Sequence, residues 1–205
     1  MAGNTVFILS PARCDGERAK LLLSGVAHFP LAVALRESPG EEIGTVFSFL
    51  SALYFRGKLT YARAFASRLR TVPPILIVTT DRGLVPPETR ITRDDLAAFA
   101  SVDIATGGER YLAPLRRDVA ALAARLTRQT RVVLLGSIAT AKYVDVLLKA
   151  FGPRLVFPRV FVGRGDMSRG GLLLRHARDG VPLEYIPVEG AVRRGTRPPK
   201  LERVR

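Results

Sequence analysis

The chain has no tryptophan, two methionines, two histidines and one cysteine among its 205 residues. A single cysteine, Cys14, excludes an internal disulfide framework. With only His28 and His176 beside it, no zinc-ligand spacing exists, so no metal site is expected. Long apolar runs are missing as well: nothing approaches the roughly 20 residues that a membrane span needs. The start, MAGNTVFILSPARCDG, lacks a basic leader and a small-residue cleavage site. The expectation is a cytoplasmic protein without a membrane partner. Acidic residues are the last shortage, 18 Asp and Glu against 32 Lys and Arg.

What is there fits a folded protein. Hydrophobic residues make up 47% and charged residues 24%, too apolar for a disordered chain. The length suits one core, read as a single α/β nucleic-acid-binding domain over 1–190 followed by a basic tail over 191–205. The net charge of +14 attracts polyanions, which makes nucleic acid the first partner to consider. Residues 151–205 carry 12 Lys or Arg against 5 Asp or Glu, so about a quarter of the chain holds half of the excess. Arginine supplies 27 of the 32 cations. A planar fork suits phosphate and base edges, although a GC-rich coding genome produces the same bias.

Strands and helices alternate. TVFILS (5–10), ILIVTT (75–80), RVVLLGS (131–137), an interrupted RLVF/VFVG pair and LEYIPV (183–188) read as strands. Between them, Asp15 is placed to cap ERAKLLLSGVA. Residues 41–70 show helical periodicity with a break or kink at Gly57, DRGLVPPETRITR reads as a loop, and Thr92 with Asp95 forms a capping box. A long amphipathic helix follows over 109–128, and Ser168 is placed to cap RGGLLLRHARD, which Gly180 ends. The pattern implies a three-layer α/β sandwich, with a mostly parallel central sheet of four to five strands flanked by helices. Ligands of such sheets bind outside the carboxyl ends of the strands. The loops expected to converge there are Ser10–Asp15, Thr79–Arg82, Gly136–Ser137 and Gly163–Arg169.

The stretch GRGDMSRGG (163–171) matches neither the dinucleotide fingerprint nor the Walker A pattern, so no nucleotide cofactor, and no cofactor of any kind, is expected. Its glycines expose backbone N–H groups near a helix start, and Arg164, Ser168 and Arg169 add phosphate contacts. The alternative is a tight turn whose Gly170 and Gly171 serve close packing. Asp81 and Asp166 lie in two of the converging loops, each near arginine. A carboxylate so placed activates water or stabilises a cationic transition state; paired with its neighbouring arginine, it merely holds the loop. LYFRGKLTYARAF (53–65) interleaves aromatics with cations, a stacking platform in which Tyr54, Arg56 and Lys58 meet the nucleic acid. On the bland reading, its aromatics are core and its cations a solvated face. Arg13 and Arg82 are further cations on the predicted edge. Cys14 reads as an incidental loop thiol.

FILSPARC, LYFRGKLTYARAF, TTDRGLVPP and GRGDMSRGGLLLRHAR, in that order, resemble the YaaA-like peroxide-stress DNA-binding family and related small α/β domains. The resemblance implies DNA binding and a role in limiting DNA damage, but no reaction. The chain departs from that pattern in being shorter, in its Asp81-Arg82 pair and in its basic tail. The layout is also similar to that of uracil-DNA glycosylases, whose catalytic motifs are absent. The functional expectation is a DNA glycosylase acting on a flipped damaged or modified base, in repair or in defence against modified foreign DNA. Asp81 and Asp166 are its candidate carboxylates. The alternatives are a non-catalytic DNA-protecting protein and an RNA-acting enzyme.

Overall fold

The computed structural model describes residues 4–139, 141–193, 195–196 and 198–199. Four short apolar runs are buried along almost their whole length, as strands covered on both faces must be. They are β1 (Thr5–Leu9), β3 (Ile75–Val78), β6 (Arg131–Leu135) and β7 (Leu155–Pro158). β1 lies between β3 and β6, parallel to both, with Phe7 opposite Ile75 on one side and Val133 on the other; β7 continues the parallel set beyond β6. Short antiparallel strands close the two edges, β4 (Leu84–Val85) beside β3 and β8 (Tyr185–Pro187) beside β7. A separate two-stranded ladder joins β2 (Glu41–Glu42) to β5 (Arg90–Ile91).

Helices fill the crossovers. α1 (Glu17–Leu23), α2 (Pro30–Arg36), α3 (Ile43–Leu50) and α4 (Ala52–Phe65) lie between β1 and β3, while α5 (Arg93–Ala100) and α6 (Glu109–Arg125) precede β6. α7 (Ala141–Phe151) joins β6 to β7, and α8 (Asp166–Asp179) joins β7 to β8. α4 packs on α8 and α6 on α7. Connections that run in opposite directions along a parallel sheet must use opposite faces, so the two pairs form the outer layers of an α/β three-layer sandwich.

The sheet has six strands where four to five were expected, because Leu84–Val85 folds back on β3 inside a segment read as a loop. The helical unit over 41–70 breaks at Ser51–Ala52, with Ala52 at φ +42°, and runs unbroken through Gly57. Gly57 is there for packing: a Cβ would stand 2.7 Å from the Gly170 carbonyl oxygen, and one on Gly170 would stand 2.6 Å from that of Leu53. α4 and α8 therefore meet backbone to backbone. Gly16, not Asp15, occupies the N-cap of α1, and Gly165, not Ser168, that of α8, which leaves Ser168 inside the first turn. The Thr92–Asp95 capping box and the left-handed Gly180 terminus form as expected. In the tail, residues 194, 197 and 200–205 lie outside the described residues. The Thr196 carbonyl lies against Gly163, which has φ +73° and no room for a Cβ, and Pro199 accepts a hydrogen bond from Arg164.

Candidate functional site

Counting only the parallel strands in chain order, the arrangement is second-first-third-fourth. The chain leaves β1 toward one edge and later crosses to the other, so β1 and β6 flank the point where the winding reverses. Loops on either side of such a point diverge and leave a crevice at the carboxyl ends. Here that crevice is a cleft of about 580 Å³. Ser10–Asp15 from the end of β1, Thr80 from the end of β3, Ser137 from the end of β6 and Asp166 at the start of α8 all line it, so the four expected loops do converge. The segment 99–104, from the last turn of α5 onward, and Ser51 at the α3–α4 break complete the wall.

Behind Ser10 of the cleft wall sits a lysine that surface reasoning misplaces. Lys58 is 1% exposed. Its Nζ donates to the Ser10 carbonyl oxygen at 2.6 Å and to Ser10 Oγ at 2.9 Å, and it lies 4.7 and 4.6 Å from the centroids of the Tyr54 and Phe55 rings. Burial lowers its pKa to about 7; Asp166 opposes that shift and Arg169 reinforces it. Ser10 is buried but lines the cleft, so the hydroxyl that Lys58 contacts belongs to a residue of the cavity wall. Gly136 makes the close approach possible, since a Cβ there would stand 2.7 Å from Ser10 Cβ and 2.8 Å from Tyr143 Oη. Tyr143 Oη donates to the Ser137 carbonyl, and burial pushes its pKa up to about 12 with Ser10 and Ser137 pulling the other way.

No family model, no curated protein and no solved structure matches this chain. Its site therefore has to be read from its own atoms.

The structure separates the two candidate carboxylates. Asp166 lines the cleft, is 66% exposed and faces Arg169 Nη1 at 3.5 Å. Asp81 is only 13% exposed and lies between Arg82 Nε at 3.8 Å and Arg110 Nη2 at 3.6 Å, with its Oδ1 buried and closing no hydrogen bond. It is absent from the cleft lining. The candidate phosphate ligands divide in the same way. Arg169 turns inward: Nε and Nη2 donate to the Phe161 carbonyl and the guanidinium lies over the Phe161 ring. Arg164 donates to Ser168 Oγ and to the Pro199 carbonyl. Arg82 pairs with Asp95 and covers the Phe99 ring. Arg13, exposed on the rim, pairs with Asp15, and Arg56, exposed on α4, remains open to a partner.

Tyr54 is buried at the cleft wall instead of forming an open stacking surface. Its hydroxyl closes no hydrogen bond, and burial raises its pKa although Arg169 lies near enough to pull it down. Cys14 is buried and donates only to the Ala12 carbonyl at 3.5 Å, and burial, with Asp15 and Asp81 adding to it, pushes its thiol up to about 12. A thiol held protonated is a poor nucleophile. Sequence reasoning missed Ser10 and Tyr143 as site residues and gave Lys58 the wrong surroundings. The available signal was spacing: Lys58 falls on the helical stripe of Tyr54, Phe55, Tyr61 and Ala62, a cation on a face otherwise apolar. Among the described residues no group of three or more His, Cys, Asp or Glu is placed to hold a metal, and no helix is long and apolar enough to cross a membrane.

Proposed function

We propose that the chain is a DNA-directed enzyme that takes one nucleotide into the switch-point cleft and hydrolyses its N-glycosidic bond. The observation that carries this reading is the cleft itself. It has the volume of a nucleoside-sized site, with Tyr54, Phe99 and Tyr143 in its walls and the Asp166 carboxylate among its lining residues. Flipping a base out of the stack needs an apolar receptacle, a cationic approach and a carboxylate near the sugar. The net charge of +14 supports the approach, and the segments that resemble the YaaA-like family favour DNA over RNA. In this reading Asp166 activates the attacking water, while Asp81, held between two arginines, shapes the loop after β3.

The test is incubation with duplexes that carry uracil or oxidised, alkylated or otherwise modified bases, followed by alkaline cleavage at abasic sites. Release of one base class, reduced about 100-fold or more by Asp166→Asn, supports the reading. Tight binding without release from any duplex overturns it in favour of a non-catalytic DNA-protecting protein. Stronger binding to single-stranded or duplex RNA across a salt series moves the substrate to RNA.

A further inference from the structure

We infer that Ser10 and Lys58 form a nucleophile–base pair, with Ser10 Oγ attacking a phosphoryl centre presented in the cleft and Lys58 Nζ taking its proton. The geometry supplies each part. Ser10 lines the cavity, while Lys58 lies behind it, sealed from solvent, at 2.9 Å from Oγ. The second contact, from Nζ to the Ser10 carbonyl at 2.6 Å, holds the amine beside that hydroxyl. A serine is a weak nucleophile until a base is held against it, and an uncharged lysine amine is one such base.

An amine serves as that base only when uncharged, and its surroundings set when that is. Asp166 and Arg169 of α8 act on it with opposite sign, the Tyr54 and Phe55 rings lie against it on its own helix, and Tyr143 of α7 interacts with Ser10. Burial dominates and brings the amine to half-protonation at about pH 7. This separates Lys58 from a lysine that merely ties β1 to α4, for which a charged amine would serve equally well.

The phosphoryl class follows from charge. The net charge of +14 belongs to the whole chain and recruits phosphate esters to it; within the cleft Arg13, exposed and paired with Asp15, is the cation of a lining that also carries Asp103 and Asp166. In the step, the Ser10 O–H proton passes to Lys58 as the Oγ–P bond forms. The bond from phosphorus to the leaving oxygen, opposite Oγ, breaks, and that oxygen takes a proton from water in the cleft. The resulting hydroxide attacks phosphorus from that same open side, and Ser10 Oγ leaves with the proton held by the Lys58 ammonium, which restores both groups. The pair does not depend on the glycosylase reading, which routes water through Asp166.

A fluorophosphonate probe tests it, because it presents a tetrahedral phosphorus with fluoride as leaving group. Mass spectrometry of the labelled full chain should place the adduct on Ser10. The labelling rate should rise roughly 10-fold per pH unit up to about pH 7 and level off above it. Ser10→Ala should abolish the adduct, and Lys58→Met should slow it at least about 10-fold with the pH dependence lost. No adduct on Ser10, a rate indifferent to pH between 5.5 and 8.5, or unchanged labelling of a folded Lys58→Met protein overturns the inference. Should Lys58→Met fail to fold, the wild-type pH profile and Ser10→Ala decide alone. A duplex assay without base release removes the glycosylase reading and leaves the labelling result standing.

Discussion

Two regions at the carboxyl edge of the sheet, the glycine- and arginine-rich turn into α8 and the plain loop after β1, reverse the roles their compositions suggest. The turn carries the conspicuous sequence, yet packing accounts for most of it. Gly170 lets α8 touch the α4 backbone, Gly163 admits the Thr196 carbonyl, and Arg164 and Arg169 donate to Ser168, Pro199 and Phe161. The β1 loop carries neither a run of glycines nor a cluster of arginines, yet its Ser10 meets a buried amine whose charge is unsettled near neutral pH. Conspicuous glycines mark close backbone approach, whereas a polar pair buried behind a cleft wall marks a group whose burial costs stability.

The largest expected difference between the two regions is in the pH dependence of stability, because only the cleft holds a strongly shifted lysine. An unfolded Lys58 stays protonated up to about pH 10, while the folded one loses its proton at about 7. Between these values the unfolded chain binds more protons, so stability rises with pH from 7 to 10 and is flat in this group below 7. The contribution is about 1.4 kcal/mol per pH unit at its steepest, or about 3.5 kcal/mol across the window. Urea denaturation of the wild type and Lys58→Met at pH 7, 8.5 and 10 measures it as the difference between the two slopes. Equal slopes would mean that the buried amine keeps its proton.

The helix seam is sharpened next. Gly170→Ala drives a Cβ against the Leu53 carbonyl at 2.6 Å and the Tyr54 Cα at 2.9 Å, both backbone atoms with little freedom to yield. A loss of about 2 kcal/mol is expected, as for overpacking in a tight core. Gly165→Ala, at the α8 N-cap with open space around its Cβ, should stay within about 0.5 kcal/mol. Thermal or urea midpoints of the two variants decide whether the glycines of this turn serve packing. If both are equally mild, the seam is looser than its backbone contacts imply.

This contrast also explains what the sequence made legible. The parallel strands were readable because strands buried on both faces are continuous apolar runs, and convergence of the four loops followed from the α/β rule alone. Leu84–Val85 was not, since two residues establish no period. The break at Ser51–Ala52 was not either, because neither residue disfavours a helix strongly, whereas Gly57, a helix breaker by propensity, was retained for contact with α8. Asp166 was found by its loop. Lys58 was named for the wrong reason: a cation between aromatics suggests an open stacking face, and only the tertiary fold shows that Ser10 lies against it.

A finer comparison uses two tyrosines whose buried hydroxyls close no hydrogen bond, Tyr54 at the cleft and Tyr111 in α6. An unmet buried hydroxyl destabilises, so Tyr54→Phe and Tyr111→Phe should each raise stability by about 1 kcal/mol. Their functional effects should part. Tyr111→Phe leaves substrate turnover unchanged, while Tyr54→Phe lowers it, because the Tyr54 side chain lines the cleft and its ring lies against the Lys58 amine. Equal turnover in both variants would make the Tyr54 hydroxyl a packing defect.

The smallest stability effect belongs to the rim. Arg13 pairs with Asp15 at 2.6 Å, but both side chains are exposed, and such a pair contributes little. Arg13→Ala should therefore leave the urea midpoint within about 0.5 kcal/mol of the wild type. Binding is a different matter. An exposed guanidinium at the mouth of the cleft releases a counterion when it meets a phosphate, so its removal should reduce the slope of log affinity against log salt by about 1. Arg164→Ala, whose guanidinium is already donated to Ser168 and Pro199, should leave that slope unchanged. Fluorescence anisotropy with a labelled duplex at several salt concentrations separates the two, and a smaller slope for Arg164→Ala alone would return the phosphate contact to the glycine-rich turn.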